Sequence, residues 1–219
     1  MKKIMFNDRY GLTEAVLSGR KTMTRRIISC PKTFKGEWVA GFHIYRRQSD
    51  GTILEYPCMC DAEERDFDGG QILPKYKVGE IVAIAQSYKN AGLDPQSIIE
   101  MPIKGSKMKG VLHCEALYSS GWTNKMFVRA DLMPHQIQFN NCKFERLQDI
   151  SDEDCIKEGI INWNCRGKQY WGFFDNTKNQ FSRHTTPREA FAFLIDRVSG
   201  KGTWESNPYV FAYDFKLVK

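Results

Sequence analysis

The spacing of the apolar residues limits the fold most: they come in short runs broken by Gly, Pro, Asn and Asp. Short runs bounded by turn residues are the pattern of strands, and only three stretches carry the start and stop signals of a helix. The first has Asn7 and Asp8 as caps, Leu12, Ala15 and Val16 at helical spacing, and Gly19 to end it. The second runs from Ser151 at the N-cap, with Ile150 as a hydrophobic staple and Asp154 closing the first turn, to Gly159. The third opens on Thr186-Pro187-Arg188-Glu189, lines Phe191, Leu194, Ile195 and Val198 on one face, and stops at Gly200. Helices are therefore predicted near 8–18, 151–158 and 187–199.

Strands fill much of the rest. An apolar run at 4–6 opens the chain, and 19–28 alternates in polarity like a half-exposed strand whose polar side chains face a groove or solvent. Residues 42–47 and 52–57 suggest a hairpin turned at Asp50-Gly51. Further strands are expected at 81–84, which crosses the core, and at 111–118, 126–128, 137–139 and 142–147. The closing stretch 208–219 puts Phe211, Tyr213 and Phe215 on one side, predicted to be the buried one. Loops are expected at 89–107 and 162–185, and in the acidic run 61–68 with Gly69-Gly70, which has few apolar anchors. Strands in this number with three short helices do not make an alternating βαβ series. An α+β fold, a small barrel with peripheral helices, is favoured over a parallel sheet.

Composition narrows the function classes. With 42% hydrophobic and 26% charged residues in 219, the chain can bury a core as one domain. No apolar run reaches about 18 residues and polar residues interrupt the start, so neither a membrane span nor a secretory signal is expected, and no membrane partner. Seven irregularly spaced cysteines suit free thiols in a cytoplasmic protein. Cys58-Met59-Cys60 lacks zinc-ligand spacing and a second pair, and His43, His113, His135 and His184 stand apart, so no metal and no cofactor is expected. Phosphate-binding and serine-hydrolase motifs do not occur. A net charge of +6 favours anionic partners, nucleic acid among them.

Two places carry candidate chemistry. Gly19-Arg20-Lys21-Thr22-Met23-Thr24-Arg25-Arg26 packs four cations and two threonines behind a helix terminator. Such density binds phosphate, and it also suits a solvated edge strand, where Lys and Arg block aggregation. Chemistry is open to it as well: a threonine hydroxyl becomes a nucleophile when a neighbouring base takes its proton, and Arg20, Arg25 and Arg26 tend to lower the pKa of Lys21. Glu158 sits in the last turn of its helix, against the macrodipole, which points either to a task or to simple solvent exposure. Trp204, with Asn207-Pro208-Tyr209, and the aromatics Trp163, Tyr170, Trp171, Phe173 and Phe174 either stack on a base or pin loops, the latter being the commoner use.

The Gly19–Arg26 stretch resembles the GxKxxxxR signature of the ASCH superfamily, and Lys77-Val78-Gly79-Glu80, Glu145-Arg146-Leu147-Gln148-Asp149-Ile150 and the stretch 207–215 extend the likeness. The chain looks like the larger phage- or prophage-associated members. This resemblance implies a single PUA-like mixed or antiparallel β-barrel over 1–219, with flanking short helices and insertions at about 30–74, 89–108 and 162–184. Small bacterial members are amidohydrolases that deacetylate N(4)-acetylcytidine. The implied roles are Thr24 as nucleophile, Lys21 as its base and Glu158 as proton carrier or orienting group. Other members carry a glutamate where Gln86 stands, which argues against a mechanism needing a second carboxylate. The expected partner is a nucleoside or RNA. The alternative is a non-catalytic RNA-binding module in which Arg20, Arg25 and Arg26 hold phosphate, with Gln86 and Trp204 among the binding residues. A ribonuclease ranks third.

Overall fold

The computed structural model describes residues 1–49, 51, 56–93 and 120–219. Its centre is a five-stranded sheet in the order β1, β8, β9, β14, β2. These strands are β1 (Lys3–Ile4), β2 (Met23–Ile27), β8 (Ile81–Ile84), β9 (Gln136–Arg146) and β14 (Tyr209–Leu217). β1 runs parallel to β8 and the other pairings are antiparallel. The α+β class is as predicted, with strands in the majority. The sheet is open among the described residues: β1 and β2 are its two edges, and no pairing closes a barrel.

Alternation explains how the sheet is buried. In β8, Val82 and Ile84 enter the main core while Ala83 joins Ala85 and Tyr88 in a smaller cluster with Val128, Leu132 and Met133. β14 is the interior strand that holds β9 and β2 together, setting Phe211 beside Phe144 and Arg26, and Tyr213 beside Cys142 and Thr24. Phe211, Tyr213 and Phe215 on β14 are buried as predicted, and Val210 and Ala212 on the other side are equally enclosed, so both faces are covered. The segments expected at 137–139 and 142–147 are one strand, β9. Its length is accommodated by a register shift opposite, between Asp214 and Phe215.

The three helices form where their punctuation lies. α1 is Leu12–Leu17, and it starts at Gly11 rather than at Asn7 or Asp8, which instead brace the preceding turn. Asn7 Oδ1 accepts from the Arg9 N–H and Asp8 Oδ1 from the Thr13 hydroxyl. α2 is Asp152–Lys157 with the Ser151 hydroxyl accepting from the Asp154 N–H. α3 is Pro187–Ser199 with Thr186 accepting from the Glu189 N–H. Ala190, Phe191, Leu194 and Ile195 bury the face of α3 that packs on α2 and the sheet. Full burial of a Phe or Leu side chain contributes roughly 1.5–3 kcal/mol, which makes this stripe the main hold on α3.

Several expected insertions and loops are paired, beginning with the short hairpin of β3 (Thr33–Phe34) and β4 (Glu37–Trp38). β5 (Gly41–His43), β6 (Cys58–Cys60) and β7 (Asp66–Gln71) form a three-stranded sheet. The hairpin partner of 41–43 is thus 58–60 rather than 52–57, of which 52–55 lie outside the described residues. The solvated-loop expectation holds for 61–65 and is overturned by β7 for 66–70; most of the β7 side chains are exposed, so backbone pairing, invisible to an apolar pattern, holds it. Between 162 and 184 run two hairpins, β10 (Ile161–Cys165) with β11 (Lys168–Gly172) and β12 (Phe174–Asp175) with β13 (Gln180–Phe181). The first turns at Arg166-Gly167, both at positive φ, as a tight hairpin requires. The strand expected at 126–128 is replaced by a 3-10 turn, Lys125–Phe127, capped by the Asn124 side chain. The strand expected at 111–118 and most of the loop at 89–107 lie outside the described residues. The six described cysteines form no disulfide with one another.

Candidate active site

The end of α1 and the end of α2 meet at the start of β2. Gly19, at φ +74°, turns the chain out of α1, and the Lys21 N–H then donates to Ala15 O and the Thr22 N–H to Lys157 O. Thr22 is thereby fastened to the last turn of α2, and Lys21 lies beside the residue that follows it, Glu158. Gly159 permits the approach: at φ +105° it adopts a conformation that suits glycine, and a Cβ there would sit 3.3 Å from Leu12 Cδ2 and 3.7 Å from Lys21 Cβ.

Lys21 and Glu158 are only 2% and 5% exposed. The Lys21 ammonium donates to the Glu158 carboxylate at 2.5 Å and to the Glu158 backbone carbonyl at 2.7 Å. Arg25, four residues on in β2, reaches the other Glu158 oxygen at 3.4 Å. It is itself held by Glu145 at 2.7 Å and Asp154 at 3.0 Å. Two cations and three carboxylates therefore form one partly buried network, in which the buried charges satisfy each other.

Burial pushes the Lys21 pKa below its ordinary value; the Glu158 carboxylate pulls against it, and the Arg26 and Arg25 charges add to the depression. Arg25 moves the other way: burial works to lower its pKa, but Glu158, Glu145 and Asp154 together hold the guanidinium above its usual value. Lys21 therefore gives up its proton more readily than an exposed lysine, while Arg25 stays charged and holds the Glu158 carboxylate.

This pair opens on a cavity of about 240 Å³. Thr24, Arg25 and Arg26 line it with Lys21 and Glu158, and Phe6, Leu12 and the Phe191–Leu194 side of α3 supply the apolar wall. Arg26 spans its rim, donating from Nη2 to Met5 O at 2.8 Å with its guanidinium 5.8 Å from the Phe6 ring centre. Arg26 Nε is shielded and has no partner, an available donor at the cavity. Both Lys21 contacts go to Glu158, so the ammonium does not hydrogen-bond the Thr24 hydroxyl in this state.

Of the residues singled out from sequence, Lys21, Thr24, Glu158, Arg25 and Arg26 come together and Arg20, Gln86 and Trp204 do not line this cavity. The solvated-edge expectation for β2 is corrected: Thr24 and Arg25 are buried, because α2 and its carboxylates cover the strand. Arg20 is exposed and donates to the Ser18 hydroxyl. Gln86 is buried elsewhere, its backbone N–H facing Met133 Sδ and its Oε1 without a partner. Trp204 is a structural pin, edge-on to Phe191 at 6.2 Å, with the Arg188 guanidinium 5.1 Å from its ring. Sequence reasoning missed Glu145 and Asp154 as the anchors of Arg25, although both lie in segments already singled out, and missed Phe6 as a cavity wall. No group of three or more metal-ligating side chains occurs among the described residues. Among the described residues no helix is long and apolar enough to cross a membrane. Compared with protein families, curated proteins and solved structures, the chain gives no match to any of the three.

Proposed function

We propose that the protein is an amidohydrolase acting on an N-acylated nucleobase or nucleoside of the N(4)-acetylcytidine type, and that its open sheet is that of a PUA-like fold. The observation that carries this reading is the buried Lys21–Glu158 pair facing a small cavity that also holds Thr24. In the proposed reaction Lys21 transfers its proton to Glu158 and, as the free amine, takes the Thr24 hydroxyl proton. Thr24 Oγ then bonds to the acyl carbon while Arg26 Nε–H donates to the developing oxyanion. The C–N bond breaks as Glu158 returns its proton to the leaving exocyclic nitrogen. Lys21 then passes its proton to Glu158 once more and, again neutral, takes a proton from the water that attacks the Thr24 ester; it returns that proton to Thr24 Oγ as the ester C–O bond breaks, which releases the carboxylic acid, and Glu158 hands its proton back to Lys21. The step asks the Lys21 side chain to swing from the Glu158 carbonyl toward Thr24 on substrate binding, a rotamer change within one cavity.

The site suits a small substrate better than a long strand. At about 240 Å³ the cavity is below the ~300–1,000 Å³ common for larger ligands, which fits an acylated base with its sugar at the mouth. Arg25, expected on phosphate in the RNA-binding alternative, is fully engaged by carboxylates. The test is hydrolysis of N(4)-acetylcytidine followed by chromatography, with the intact protein, Lys21→Met and the nearly isosteric Thr24→Val. Turnover by the intact chain and loss in both variants is expected. No turnover by the folded intact protein sinks the reading and returns weight to RNA binding.

A further inference from the structure

We propose that a second cavity, formed by the β12–β13 hairpin against another face of α3, is a binding site for a nucleoside monophosphate. Its base would lie on an aromatic wall and its phosphate on Lys178, Arg183 and Arg197. The cavity measures about 590 Å³, within the ~300–1,000 Å³ of small-molecule sites. It shares no lining residue with the Lys21 cavity: α3 gives Phe191 and Leu194 to that one, and Phe193 and Arg197 to this one. The site therefore stands or falls independently of the hydrolase chemistry.

The wall is a row of rings. Tyr10 meets Phe173 edge-on at 5.3 Å, and Phe173 stacks on Phe193 at 6.2 Å and 27°. Phe193 is 40% exposed, so the row offers solvent-facing aromatic surface against which a planar base can pack.

Charge fixes the rest of the ligand. Lys178, Arg183 and Arg197 have no carboxylate partner among the described residues, and two of them lie against rings: Arg197 4.8 Å from the Phe193 centre and Arg183 5.9 Å from that of Tyr170. A guanidinium lying on a ring keeps its in-plane N–H groups free, the geometry that grips phosphate. Asp175, the one acid in the lining, is already held in a fork by Arg9 and by the Thr177 hydroxyl, so three positive charges remain uncancelled. A phosphomonoester carries about −1.5 to −2 at pH 7, a close complement.

His184 supplies the polar contact for the base. Its ring is 5.1 Å from Phe193, and its Nε2 is shielded without a hydrogen-bond partner, which costs free energy until something meets it. Burial pushes the His184 pKa below its ordinary 6.5 while Glu189 pulls against it, so the imidazole is neutral at pH 7 and suited to a neutral base edge.

Isothermal titration calorimetry of the full chain with AMP tests the site, with adenosine and inorganic phosphate as partial ligands. The site predicts saturable one-to-one AMP binding, with adenosine and phosphate each at least about tenfold weaker because each forfeits one half of the contacts. The exposed-surface double variant Arg183→Ala/Arg197→Ala should weaken AMP by about tenfold or more, the loss of one or two charged hydrogen bonds. Lys21→Met should leave it unchanged. Absence of saturable AMP binding, equal affinity for AMP and either partial ligand, or loss of binding in Lys21→Met with retention in the double arginine variant would each overturn the assignment.

Discussion

Replacing Glu158 by Gln keeps the shape of the side chain and removes its charge, leaving the Lys21 ammonium buried with a neutral amide. Breaking one partner of a buried pair costs about 3–5 kcal/mol when the remaining charge stays. Lys21 has an alternative, since it can shed its proton. Its folded pKa is already below the ordinary value through burial, and Glu158 is the chief group raising it. The Gln variant therefore depresses it further. A depressed folded pKa means that the unfolded chain binds the extra proton, so stability rises with pH between the folded pKa and the ordinary value of 10.5. The loss relative to wild type should be greatest near pH 6 and should shrink toward pH 9, by about 1.4 kcal/mol per pH unit once the variant's own Lys21 pKa is passed. Urea unfolding at pH 6, 7.5 and 9 measures it. Lys21→Met should cost less than Glu158→Gln at pH 6, because it leaves Glu158 paired to Arg25 rather than leaving cations without their carboxylate. A Glu158→Gln loss below about 1 kcal/mol, the value of a solvated pair, or one that does not change with pH, would refute the buried-pair argument.

Two further outcomes follow from the same network. Partial burial works to raise the Asp154 pKa, but hydrogen bonds from Arg25 and Lys157 outweigh it and hold the carboxyl below its ordinary 3.8. Its contribution is therefore present above that value and lost as pH falls through the folded pKa. Asp154→Asn should give a shallower fall in urea midpoint between pH 5 and pH 3 than wild type, and an unchanged slope would remove Asp154 from the account. Gly159→Ala should cost about 1–3 kcal/mol for a side chain at φ +105°. Because the new Cβ presses on Leu12 and the strained backbone lies against Lys21, it should also lower the rate of the proposed hydrolysis by more than its thermal destabilisation explains, which parallel melting and rate measurements will show.

The parts of the fold legible in the sequence were those whose cause is local. Ser151 and Thr186 cap helices because a hydroxyl one turn before an exposed N–H finds it without help from the rest of the chain. β8 and β14 declare themselves by apolar content and alternation. The hairpins between 161 and 181 and the strand β7 were not legible, because they expose most of their side chains and are held by backbone pairing. Barrel closure was equally out of reach, since a run of strands fixes their number and leaves open which edges pair.

The site divides in the same way. Lys21 and Thr24 stand out in one short stretch, and Glu158 stands out as a carboxylate at the wrong end of a helix. The phosphate role open to Arg25 rests on a charge that is visible in sequence, whereas its partners are not: Glu145, Asp154 and Glu158 lie more than a hundred residues away. Trp204 takes the commoner of its two roles and packs on Phe191, a partner that sequence alone does not name.

The pH dependence of N(4)-acetylcytidine hydrolysis tests the central claim most directly, since Lys21 must act as a base at the pH of the cell. The account predicts that kcat/KM falls as pH rises through a single ionisation of the Lys21–Glu158 pair lying below the ordinary lysine value of 10.5, because the pair must hold the proton it delivers to the leaving nitrogen, and that Lys21→Met abolishes both the fall and the activity. An unchanged profile and rate in a folded Lys21→Met variant would contradict it.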